Sequence, residues 1–400
     1  MEKNLSNKIV IFGAGKIGRS FIGQLFSKGD FEVVFIDISD TILNELNQRG
    51  MYEVVIKSEV EKTITVKNVR GVDGRDKELV SEEVSDSTII AVSVGLKALP
   101  IILTSIAEGL KKRYEKDQSN AVDIIIAENM RNGSQYFREN LKKLLPESYP
   151  LNDLVGLVET SIGKMVPIIP ENIEKENPLI VFAEPYNTLI LDKRAFKNPI
   201  PKVEGLAPKD NIKAWVDRKL FIHNLGHAAT AYWGYYYNPK FQYIWEALEV
   251  PTVFSNVRET MLQSANLLAK RYSDDFSIDE LVDHVDDLLF RFKNKALADT
   301  IYRVGCDLSR KLGPNDRLAG AIRLAISLNM PYDKILKTLI VGCQFKAVNE
   351  KGMMHPSDIA FFENNKSLTY ILENVCSFDR SNFPQVLLKA QEIEKSDFIK

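Results

Sequence analysis

Residues Lys8-Ile9-Val10-Ile11-Phe12 run directly into Gly13-Ala14-Gly15-Lys16-Ile17-Gly18, a junction that admits few folds. The apolar run suits a strand buried on both faces. Past the glycines, Phe21, Ile22, Leu25 and Phe26 recur at helical spacing, and Phe31-Glu32-Val33-Val34-Phe35-Ile36 reads as a second strand that ends on Asp37. Strand, glycine turn, helix and strand make one βαβ unit. Gly13 permits the tight turn, Gly15 lets backbone approach a pyrophosphate, and Gly18 lets the helix pack on the strand. The pyrophosphate would rest on the helix N-terminus, where free N–H groups and the dipole favour an anion. Asp37 would accept hydrogen bonds from a ribose hydroxyl and repel a 2′-phosphate, which selects NAD over NADP. A GxGxxG pattern alone is weak; one that follows a strand, opens a helix and has an acid about 20 positions on carries its required context. FAD or an S-adenosyl cofactor would use the same turn, and a cation at Lys16 fits the NAD reading less well. The expected cofactor contacts are Phe12, Gly13, Ala14, Gly15, Lys16, Ile17, Gly18, Asp37 and, further along, Gly95.

The α/β pattern continues. Residues 87–94 and 122–127 read as strands ahead of Gly95 and of Glu128-Asn129-Met130. Open α/β sheets bind ligands beyond the carboxyl ends of their strands, where Gly95 and Asn129 both fall. Residues 101–114 have the pattern of an amphipathic helix, and 52–69 alternate like an inserted hairpin. Runs 179–182 and 188–191 are expected to extend the sheet. Asn198-Pro199-Ile200-Pro201 breaks helix and strand alike, so the domain boundary is expected there: 1–198 and 199–400. Beyond it, 211–237, 255–272, 278–292, 316–328 and 332–345 all have helical periodicity. The expected fold class is an α/β Rossmann-type domain followed by a mainly α-helical one.

Composition narrows the functions on offer. Four hundred residues, 45% hydrophobic and 26% charged, suit a two-domain globular chain. A formal net charge of −2 provides no field for nucleic acid or an anionic membrane. Cys306, Cys343 and Cys376 form neither a disulfide framework nor a CxxC metal pair, and the chain has four histidines, so no metal site is expected. The run from Ile9 to Phe12 is too short for a signal peptide, and no segment approaches the ~20 apolar residues of a membrane span. A cytoplasmic location is expected.

The stretch Arg218-Lys219-Leu220-Phe221-Ile222-His223-Asn224-Leu225-Gly226-His227 opens the helical half. At about 100° per residue from Lys219, His223 falls near ~40°, His227 near ~80° and Asn224 near ~140°. Gly226, Ala228 and Gly234 would let a backbone or a ligand come close. Such a face either lines a cleft or holds well-paired core polar groups. Spacing alone leaves both open: a solvated Lys219 with a core His227, or a catalytic set.

Lys-x4-Asn-x2-His after an N-terminal dinucleotide fold resembles the polyol-specific long-chain dehydrogenases. Phe12 to Gly23, Glu128-Asn129-Met130, Arg218-Lys219-Leu220-Phe221, Gly226-His227-Ala228 and Arg303-Val304-Gly305 carry the likeness in order. Arg310-Lys311-Leu312 and Asp316-Arg317-Leu318 extend it, and the last 60 or so residues add little. The resemblance implies metal-free, NAD-dependent hydride transfer between mannitol 1-phosphate and fructose 6-phosphate, by a monomer. Lys219 would be the general base, Asn224 and Asn129 would donate to the alkoxide oxygen, and His227 would hold a substrate hydroxyl. A lysine near ~10.4 in water is a poor base at neutral pH, so the site must lower its pKa.

A sugar phosphate needs cations, and Arg303, Arg310, Lys311 and Arg317 are the candidates, against solvated surface charge as the other reading. The chain also departs from the family. Gly163-Lys164 stands where Asp-Arg is usual, Leu96 follows Gly95 in place of proline, and Cys306-Asp307-Leu308-Ser309 replaces a stretch with arginine and proline. These changes leave open another polyol, another polyol phosphate, a keto-uronate, or an NAD-binding regulator without turnover.

Overall fold

The computed structural model describes residues 7–364 and 367–395, so the outermost residues of both expected domain ranges lie outside it. The chain divides into two units, residues 1–216 and 217–400.

The first unit is built on an eight-stranded sheet. In chain order its strands and those of a smaller sheet are β1 (Lys8–Phe12), β2 (Glu32–Asp37), β3 (Met51–Ile56), β4 (Lys62–Lys67), β5 (Val69–Asp73) and β6 (Ile89–Val92). There follow β7 (Val122–Ile126), β8 (Val155–Ser161), β9 (Val181–Ala183), β10 (Leu189–Asp192) and β11 (Leu206–Lys209). The large sheet runs β11-β10-β8-β7-β6-β1-β2-β5. From β8 to β5 every pairing is parallel, while β10 meets β8 antiparallel. Because side chains alternate along a strand, β1 feeds both layers: Ile9 and Ile11 enter one core cluster, Val10 and Phe12 the other. The order reverses on either side of β1, between β2 and β6. That reversal marks the switch point where this class of sheet accepts ligands.

Two sequence expectations shift. The hairpin is present as β3 and β4, but β9 joins β3 in a separate three-stranded sheet and does not extend the main one. The boundary also falls later than residue 198. The proline pair breaks local structure, yet the chain returns to the sheet as β11 beside β10, which ties residues past 199 to the first unit.

The second unit is helical. Leu225–Tyr237 is apolar almost all round, the mark of a helix enclosed by others. Pro251–Arg271, Ile244–Glu249, Ile301–Gly305 and Asp333–Gly342 pack against it. Its small residues admit protein neighbours: a Cβ on Gly226 would crowd Met261, and one on Gly234 would meet Ala247 and Ile301. No helix among the described residues is long and apolar enough to cross a membrane.

Candidate active site

In the first unit, the carboxyl edge of the sheet carries the expected nucleotide loop. Gly13 sits at φ +98° with its N–H donating to Ile36 O at 2.8 Å, and a Cβ there would lie 2.5 Å from the Ser93 carbonyl oxygen. A Cβ on Gly18 would collide with the Gly13 carbonyl oxygen, so loop and helix close only around glycine. A Cβ on Gly15 would meet nothing within 4 Å; that position faces open space. Asp37 braces the turn. Its Oδ2 accepts the Ala14 N–H at 2.7 Å, and its Oδ1 accepts those of Ile38 and Ser39. A carboxylate has acceptor positions beyond these three, so ribose can still be held.

The Phe12 ring is fully buried in the core, so only the backbone of this position borders the loop. Ile17 packs against the opposite core layer, while Lys16 is exposed. Gly95 adopts φ +84°. Its N–H and that of Val94 both donate to Glu128 Oε1, at 2.9 and 2.6 Å. Burial pushes the Glu128 carboxyl upward against those two bonds. Asn129 follows it, exposed, on the same edge. Gly18→Ala is expected to weaken NADH binding about tenfold or more, since overpacking costs ~1–3 kcal/mol or more where backbone must give way. Fluorescence titration with NADH checks it; unchanged affinity would mean the turn does not seat the dinucleotide.

In the second unit, Ile212–Arg218 leads into a π-helical turn, Lys219–Asn224, before the α-helix resumes at Leu225. Such turns are rare and gather at functional sites. This one corrects the expected geometry. In a π-helix residues five apart close one hydrogen-bonded ring, so Asn224 comes round beneath Lys219, well inside the ~140° of an ideal α-helix.

Lys219 is half-buried. Burial, and then the charge of Arg317, bring its ammonium down to about 8. His227 stacks on Phe292, with ring centroids 4.9 Å apart, and its Nε2 lies 3.1 Å from Asp299 Oδ2. Arg303 pairs with the other Asp299 oxygen. Burial lowers the pKa of His227, against the pull of Asp299. Burial raises that of Asp299, but His227 and Arg303 outweigh it and leave the carboxyl below its usual value. Asp299 is therefore the anion and His227 the neutral partner. Assigned from that carboxylate, Nε2 carries the proton and Nδ1 is left as acceptor.

The four basic candidates converge here, each already engaged. Arg303 meets Asp299, Arg310 meets Asp307, and Arg317 meets Asp316. Lys311 is buried and donates to Val304 O at 2.6 Å; burial first, then Arg317, lowers it to about 8. Arg303 and Lys311 both bear on His227. Arg310 is the most open of the four, with about half its side chain exposed. Arg317 is turned inward, its Nη1 donating to Asn224 O at 3.1 Å.

Residues 7–205 match the model of the mannitol dehydrogenase Rossmann domain, and residues 211–379 that of the mannitol dehydrogenase C-terminal domain. The chain belongs to the mannitol dehydrogenase family. Two curated relatives of this dehydrogenase come from Streptococcus pneumoniae, strains JJA and Hungary19A-6, and both are named mannitol-1-phosphate 5-dehydrogenase. The first is 32% identical over 86% of this chain and 89% of its own length. The second is 31% identical over 90% and 94%. Among solved structures, Pseudomonas fluorescens mannitol 2-dehydrogenase, crystallised as a ternary complex with NAD and D-mannitol, shares the fold. Its TM-score is 0.71 at 14% identity, over 99% of this chain and 93% of that one.

Sequence reasoning missed two acids that organise this mannitol dehydrogenase relative. Glu128 enters the sequence reading only as part of the Glu128-Asn129-Met130 motif, with no role of its own. Asp299 lies 72 positions from His227, beyond any helical period. Its one local signal is the i,i+4 spacing to Arg303. The Gly163-Lys164 departure also has a local structural consequence: Lys164 is buried in the first unit, with Nζ donating to Asn187 Oδ1 at 2.6 Å.

Proposed function

We propose that this chain catalyses reversible, NAD-linked oxidation of mannitol 1-phosphate to fructose 6-phosphate, with Lys219 as general base. The observation that carries the reading is a lysine brought to about 8 on the turn that also presents Asn224, beside a neutral His227 oriented by Asp299. The family, and the names of the Streptococcus relatives, support the substrate. The first unit fits NAD: Gly15 faces open space at the turn, and Asp37 puts a carboxylate where a 2′-phosphate would be repelled.

Neutral Lys219 Nζ takes the proton of the secondary hydroxyl. Held at the Gly13–Gly18 turn and by Asp37, NAD would supply the hydride acceptor for the same carbon. The Asn224 amide donates to the oxygen as it gains charge, a contact worth about 3 kcal/mol in comparable sites. In the first unit, Asn129 is proposed as a further amide donor to substrate. His227 Nδ1 accepts from a neighbouring hydroxyl of the polyol. Arg303, Arg310 and Lys311 hold the phosphate, Lys311 being buried without a carboxylate partner among the described residues.

Gly163-Lys164 favours a second substrate reading, an unphosphorylated polyol or a keto-uronate. NADH oxidation assayed with fructose 6-phosphate, fructose and fructuronate separates them. Preferred turnover of fructose 6-phosphate is expected. In Arg310→Ala/Lys311→Ala its KM should rise at least tenfold more than that for fructose. Equal effects on both would remove these residues as phosphate ligands, and no turnover of any carbonyl would end the enzyme reading.

A further inference from the structure

Sequence spacing groups Arg317 with the phosphate cations, but its surroundings give it another task. Its side chain is about nine-tenths buried. Nε donates to Asp316 Oδ1 at 2.7 Å, and Nη1 donates to the Asn224 carbonyl oxygen at 3.1 Å. Asn224 ends the π-helical turn, where the hydrogen-bond ladder reverts from five residues to four. Asn224 is also the N-cap of helix Leu225–Tyr237, so Arg317 adds a charge-assisted donor to the carbonyl that joins the π turn to that helix. The neighbouring element is fitted to the same turn. Gly320, on helix Ala319–Ser327, leaves room for Phe221, whose ring would lie 3.0 Å from any Cβ there. A guanidinium spent inward on a carboxylate and a backbone carbonyl is a poor free ligand for phosphate.

We propose that Arg317, braced by Asp316, is a positioning residue that holds the Lys219–Asn224 turn in its π-helical form and keeps a permanent cation against Lys219. This rests on Lys219 being the base. Arg317 bears on Lys219 from the segment before helix Ala319–Ser327, and His223 faces it from the same turn. Arg291 and His284, on helix Ile278–Phe292, act on His223; Lys311 is coupled to Arg317. Arg317 thus fixes where Lys219 and Asn224 stand relative to one another, and makes the Lys219 proton easier to lose.

The test uses the full chain with Arg317→Gln, which removes the charge, and Arg317→Lys, which keeps it but cannot fork. Two readouts are needed. One is kcat and KM against pH, for mannitol 1-phosphate and for mannitol. The other is the ¹³C NMR titration of the reductively methylated protein, with the Lys219 signal assigned by its loss in Lys219→Arg. Arg317→Gln should move the Lys219 titration about one pH unit upward and lower kcat at pH 7 about tenfold for both substrates. Arg317→Lys should leave the titration near that of the parent while still lowering kcat for both. An unmoved titration in Arg317→Gln, with KM raised for the phosphorylated substrate alone, would make Arg317 a phosphate ligand and overturn the proposal. If Arg317→Gln does not fold, Arg317→Lys decides: unchanged kcat with a raised phosphosugar KM overturns it equally. Failure of the underlying reading is distinct, because it would show as retained turnover in Lys219→Ala.

Discussion

Lys219→Ala is expected to lower kcat for polyol oxidation by about 10²–10⁴-fold, while NADH affinity stays within about twofold. The size follows from what the side chain supplies. A hydroxyl cannot release hydride at a useful rate until its proton is leaving, and water at pH 7 is a weak acceptor. Lys219, brought to about 8 by burial and by Arg317, is neutral in roughly one molecule in ten at that pH, enough to act as a base. The dinucleotide turn belongs to the first unit and Lys219 to the second, so cofactor affinity should not follow the loss. Steady-state kinetics with a parallel NADH fluorescence titration check both halves. Turnover kept within a factor of about ten would remove Lys219 as the base.

Asp299→Asn should have the next largest effect, a fall in kcat of about 100-fold or more. Asp299 accepts only; it fixes the His227 proton on Nε2 and leaves Nδ1 as an acceptor, which the proposed mechanism uses for a substrate hydroxyl. An amide can offer N–H to Nε2 instead, which moves the ring proton to Nδ1 and turns that acceptor into a donor. The wrong tautomer of a comparable histidine costs a serine protease about 10⁴-fold. The change also strips Arg303 of its partner, which should destabilise the fold by about 1–3 kcal/mol. Kinetics and thermal melting read the two effects separately. A variant with parent-like kcat and a lowered Tm would make the pair structural only.

Much of this was legible in the sequence because it is local. Gly13, Gly15, Gly18 and Asp37 lie within one βαβ unit, and their roles follow from turn geometry and strand ends. Lys219, Asn224 and His227 are close along one helix, so any helical reading puts them near each other. What escaped was set by tertiary contact. The π turn comes from no propensity visible in Lys219–Asn224; the contacts made to it, by Arg317 on the Asn224 carbonyl and by Gly320 against Phe221, come from about 100 positions away. Asp299 reaches His227 across a gap with no periodic signal. At Phe12 the alternation along β1 sends the ring into the core, so any part it has at the glycine loop is through its backbone. The late domain boundary has the same origin, since only pairing between β10 and β11 reveals where residues past 199 belong.

The central claim is that Lys219 is the acid–base group of a polyol-phosphate dehydrogenase. It is tested most directly by the pH dependence of kcat/KM in both directions, with mannitol 1-phosphate and NAD, then fructose 6-phosphate and NADH. Oxidation needs the neutral amine and reduction the ammonium. In Lys311→Arg, whose phosphate-holding charge does not titrate in this range, oxidation should therefore rise with pH through a limb near about 8, and reduction should fall through the same limb. Profiles that are flat between pH 6.5 and 9.5, or limbs that persist unchanged in the residual activity of Lys219→Ala, would contradict it.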